Sequence, residues 1–88
     1  MTFIRPPAVA GSFYPGNANE LERTVRGYMD EAIADPSFDA GALPPKAVVS
    51  PHAGYIYSGA LAAKVFARLK PAAKTITRVV LLGPCHRV

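Results

Sequence analysis

In the first half of the chain, Leu21, Val25, Tyr28, Met29, Ala32 and Ile33 recur at three- and four-residue steps. That period puts them on one face of a helix over about residues 20–34. Asn19 offers a side-chain cap, and Glu22 stands behind it at the capping-box spacing. Gly27 inside this helix costs up to about 1 kcal/mol relative to alanine. Residues 3–16 read as an ordered opening loop. Pro6 and Pro7 restrict its backbone, Gly11 permits unusual dihedrals, Pro15-Gly16 signals a turn, and Phe13 and Tyr14 are the expected anchors. Residues 35–45, rich in Pro, Asp and Gly, form the next loop.

The pattern then changes. Lys46-Ala47-Val48-Val49-Ser50 is a short unbroken run closed by Pro51, and Ile76 to Leu82 is a second one closed by Gly83-Pro84. Between them Leu61, Val65, Phe66 and Leu69 form a helical stripe over about 59–69, with Ser58 as the expected cap and Pro71 after its end. Unbroken apolar strands imply cover on both faces, as in a parallel sheet. The expectation is therefore α/β: residues 46–50 and 78–82 as adjacent parallel strands joined by a right-handed helical crossover. Two strands leave their outer edges without partners, and the pattern stops at Arg87-Val88 with no closing element. This is the pattern expected of one strand–helix–strand unit of a parallel or mixed sheet. Residues 1–88 would then be a truncated chain, an incomplete gene product or a fragment of a larger domain.

Composition narrows the class. Half of the 88 residues are apolar, which is globular and not disordered. A chain of this length buries roughly 60–65% of its unfolded surface, a marginal core. A single cysteine, Cys85, excludes an internal disulfide and fits a reducing, cytoplasmic setting. No basic stretch followed by an apolar run opens the chain, and no apolar run approaches the ~20 residues of a membrane span.

Net charge is +4, unevenly placed: residues 1–44 carry −3, whereas residues 45–88 carry seven basic residues and no acidic one. One reading is nucleic-acid or phosphate binding. The other is a solvated surface. The second fits better, because Lys46, Lys64, Arg68, Lys70, Lys74, Arg78 and Arg87 are scattered and several close a helix, where the macrodipole favours cations. A further consequence is that nothing after Asp39 can supply a carboxylate ligand or base.

In parallel α/β sheets ligands bind beyond the carboxyl ends of the strands. His52 lies two residues after Ser50, and His86 four residues after Leu82. On neighbouring strands ~4.8 Å apart the two imidazoles can converge, and neutral imidazole binds zinc, copper or iron. Spacing alone leaves two readings: polar loop side chains, or two ligands of a metal site that needs a third. Cys85 is expected to pack as a small hydrophobe and not to ligate. Tyr55 and Tyr57 flank the His52 loop, either as rim packing or as hydrogen-bonding groups, with Tyr55 the candidate substrate-binding residue. No phosphate-loop or dinucleotide fingerprint occurs.

Three segments taken together resemble one family. They are Arg5-Pro6-Pro7-Ala8-Val9-Ala10-Gly11-Ser12-Phe13-Tyr14-Pro15, Ser50-Pro51-His52-Ala53-Gly54-Tyr55-Ile56-Tyr57-Ser58-Gly59, and Leu81-Leu82-Gly83-Pro84-Cys85-His86. In order and spacing they look like the MEMO family, whose prokaryotic members are also called AmmeMemoRadiSam system protein B. The resemblance implies a fold like that of class III extradiol ring-cleaving dioxygenases. It also implies that His52 and His86 match two of the family's metal-site histidines; the family's further site residues, a histidine and a cysteine, come much later in its chains. The expected function is a metal-site protein, redox-active with iron or copper rather than zinc. The family name implies partners of the AMMECR and radical S-adenosylmethionine types. Two alternatives stand beside it. One is an extradiol-dioxygenase-like non-haem iron enzyme, a chemistry that normally adds a carboxylate to two histidines. The other is a non-enzymatic module that binds an anionic peptide or protein.

Overall fold

The computed structural model describes residues 2–85. Its body is a pair of packed helices, α1 (Ala18–Ala34) and α2 (Tyr55–Ala67), followed by a short 3-10 turn at Lys70–Ala72.

Helix α1 begins two residues earlier than the sequence pattern suggested. Asn17, not Asn19, is the cap: its Oδ1 accepts the Glu20 N–H at 3.1 Å, and its carbonyl accepts the first helical bond from Leu21 at 2.8 Å. Both asparagines have a glutamate three residues on. The turn at Pro15-Gly16 decides between them, since the chain can enter the helix directly behind it. Glu22 is thereby released to an exposed pair with Arg26 at 2.7 Å, a contact of about 0.3–0.5 kcal/mol. At the other end Asp35 caps α1. Its Oδ1 accepts from the Ser37 N–H at 2.8 Å and hydroxyl at 2.6 Å, and its Oδ2 meets Lys64 of α2 at 3.3 Å.

Helix α2 starts at Tyr55, so Ser58 lies inside it and is not its cap. Its buried face is also not the expected one. Gly59, Ala63 and Ala67 are buried against α1 and Ser58 is buried beside them, whereas of the expected stripe Val65 and Leu69 are half-buried and Leu61 and Phe66 are exposed. Small side chains four residues apart let the helix axes approach. The Tyr28 ring covers Gly59, where a Cβ would sit 2.8 Å from the ring. Ala32, Ala63 and Ala67 form the core, with Tyr28, Met29, Ile33 and Phe38 packed around it.

Residues 46–50 and 78–82 form no strand in this structure; the only bridge among the described residues joins Ala10 and Tyr14. A strand exists through its ladder partner, and these two runs do not pair with each other. Most of their apolar side chains accordingly face solvent: Val49 is 93% exposed, and Val79 to Leu82 range from 79% to 89%, with Val48 half-buried. No helix among the described residues is long and apolar enough to cross a membrane.

Candidate functional site

His52 sits on the short connection that feeds α2, and its side chain is exposed. The start of α2 explains how that connection is held. A helix N-terminus leaves its first N–H groups without intrahelical acceptors. Gly54 stands at the cap position and has no side chain to supply one. The acceptor comes instead from the opening loop: the Phe13 carbonyl takes the Tyr55 N–H at 2.8 Å. That carbonyl is placed by a tight turn in which Gly11 donates to Tyr14 O at 2.7 Å, and Ser12 and Phe13 both donate to Val9 O. Gly11 has φ +82° there, a conformation an L side chain resists by about 1–2 kcal/mol.

The three residues after His52 have all their carbonyls engaged. Ala53 O accepts from the Ser58 hydroxyl at 3.0 Å. Gly54 O accepts the Tyr57 and Ser58 N–H groups at 2.9 and 3.1 Å. Tyr55 O accepts from the Tyr28 hydroxyl at 3.1 Å. The half-buried Tyr55 ring lies 5.7 Å from Tyr14 and 6.3 Å, edge-on, from Tyr28. Tyr57, the other tyrosine of the motif, is exposed.

The remaining candidates are placed differently. His86 lies outside the described residues. Cys85 is exposed and not packed, because nothing covers the apolar run that precedes it. Sequence reasoning placed Tyr28 on an apolar stripe and missed the task of its hydroxyl. The available signal was that a tyrosine at a helix–helix contact brings a polar tip that needs a partner.

The described residues fit a metal ion in part. An exposed imidazole on an anchored main chain suits iron, copper or zinc. Yet no group of three or more His, Cys, Asp or Glu among the described residues is arranged to hold an ion. His52 is the one expected ligand within residues 2–85.

Comparison with known proteins assigns the family. The family model for Memo-like proteins matches residues 5–88. A MEMO1 family protein of Aquifex aeolicus is 43% identical over 83 residues, covering 94% of this chain and 27% of its own. One from Archaeoglobus fulgidus is 45% identical with the same coverage. Protein MEMO1 of Danio rerio is 37% identical over 87 residues, 96% of this chain and 26% of its own. The chain thus spans about a quarter to a third of the length of the curated relatives it matches. No solved structure matches it. With the motif segments around His52 and the opening turn inside the matched region, the chain belongs to the Memo-like family.

Proposed function

We propose that this chain is the N-terminal part of a metal-site protein in which His52 and His86 supply imidazoles to one iron or copper ion. The fold proposed with it is the α/β sheet of the extradiol-dioxygenase type. In that sheet residues 46–50 and 78–82 gain ladder partners and bring the two histidines to neighbouring strand ends. The observation that carries the reading is the main chain after His52, with three consecutive carbonyls engaged. Such anchoring suits a side chain that must hold one direction. Bound there, iron or copper would supply one-electron and Lewis-acid chemistry. This chain's part is to hold an imidazole at the rim and to keep its loop from collapsing.

The test is metal stoichiometry. In the complete gene product, His52→Ala and His86→Ala are each expected to cut iron or copper content several-fold while far-UV circular dichroism stays unchanged. His52 is exposed on the connection ahead of α2, so the fold is expected to tolerate its loss. Wild-type metal content in both variants would refute the reading.

A further inference from the structure

We propose that Tyr55 is a positioning residue for His52, acting through its main chain and ring and not through its hydroxyl; this rests on the metal-site reading above. The two ends of its peptide unit are gripped by different parts of the molecule. Its N–H is held by the Phe13 carbonyl of the opening loop, and its carbonyl by the Tyr28 hydroxyl of α1. Its ring packs against Tyr14 and Tyr28, which belong to those same two elements. Tyr55 is therefore where the opening loop, α1 and α2 meet, three residues beyond His52. Ser58 ties the nearer residue, Ala53, back to the first turn of α2. Together these bonds fix the peptide groups of Ala53 and Tyr55, the segment from which the His52 main chain departs. The Tyr55 hydroxyl makes none of them, so the group that would contact a substrate is not the group the structure uses.

The two roles separate by variant. Tyr28→Phe removes the donor to Tyr55 O and keeps the ring over Gly59. Ser58→Ala removes the bond to Ala53 O. Tyr55→Phe removes only the hydroxyl. The probe is Co(II), titrated into the metal-free complete gene product and followed by its visible absorption bands. Groups that orient a ligand typically change metal affinity 10–100-fold. Tyr28→Phe and Ser58→Ala are expected to weaken Co(II) binding about tenfold and to alter the bands, with circular dichroism unchanged. Tyr55→Phe is expected to match wild type. A Tyr55→Phe loss as large as that of His52→Ala, or a wild-type titration for Tyr28→Phe, overturns the proposal. If the wild-type protein takes up no Co(II), the metal reading falls, and carbon-13 relaxation of the His52 ring decides the positioning role separately. Increased ring motion in Tyr28→Phe but not in Tyr55→Phe supports it; equal motion in all three proteins overturns it.

Discussion

A side chain caps the start of α1, another orders the turn behind its end, and each has a measurable consequence. Asn17 satisfies the Glu20 N–H. Removing such a cap costs about 1 kcal/mol, so Asn17→Ala should lower the unfolding free energy by that amount in denaturant titrations, whereas Asn19→Ala should be near neutral. At the far end the carboxyl of Asp35 is lowered from 3.8 to about 2, first by the two Ser37 hydrogen bonds and then by Lys64. A depressed folded-state value means that the stabilisation is fully present above the unfolded value and disappears as pH falls through the folded one. The helix signal at 222 nm should therefore hold at pH 5 and decline between about 4 and 2. Asp35→Ala should lower the thermal midpoint at pH 7 and lose its difference from wild type near pH 2. A difference that persists at that pH would assign the effect to another group.

Between elements, the contact of α1 with α2 depends on the absence of a side chain. Gly59 and Gly27 are both helical glycines, and the same substitution should act on them in opposite directions. Nothing lies within 4 Å of a Cβ built at Gly27. Gly27→Ala should therefore stabilise by about 0.5–1 kcal/mol through helix propensity. At Gly59 the new methyl would meet Tyr28 at 2.8–2.9 Å. Crowding of that kind costs about 1–3 kcal/mol, which outweighs the propensity gain. Gly59→Ala should lower the midpoint of urea unfolding and disturb the Tyr28–Tyr55 hydrogen bond. Equal stabilisation by both substitutions would show that Tyr28 moves aside freely.

For the molecule as a whole, surface is the governing quantity. The chain exposes 7815 Å², against about 5000 Å² for a compact monomer of 9.3 kDa. Its radius of gyration is 14.6 Å, against about 12 Å for a compact chain of this length. No large side chain is fully buried among the described residues, and the buried apolar positions there are alanines. Exposed runs such as Val79 to Leu82 are association surfaces. The isolated 88-residue chain should therefore sediment as a concentration-dependent mixture and bind a hydrophobic dye. A sharp monomer boundary with cooperative unfolding would show that it buries this surface unaided.

What could be read from residue order alone is what local physics controls. A 3.6-residue period needs only hydrogen bonds four residues apart, so both helices were legible. So were the His52 loop at the mouth of α2 and the motif segments of the Memo-like family. Choices among local equals were settled by what surrounds each element. Asn17 and Asn19 have equivalent spacing, and the preceding turn selects Asn17. The large residues of α2 made the better stripe on paper, but Gly59, Ala63 and Ala67 allow the closer approach to α1 and are the ones buried. Tyr55 read as a rim side chain until Phe13 and Tyr28, distant in the sequence, took its N–H and carbonyl. The runs at 46–50 and 78–82 have strand-like composition, but a ladder is made between segments and not within one. Tertiary pairing alone decides whether they become a sheet.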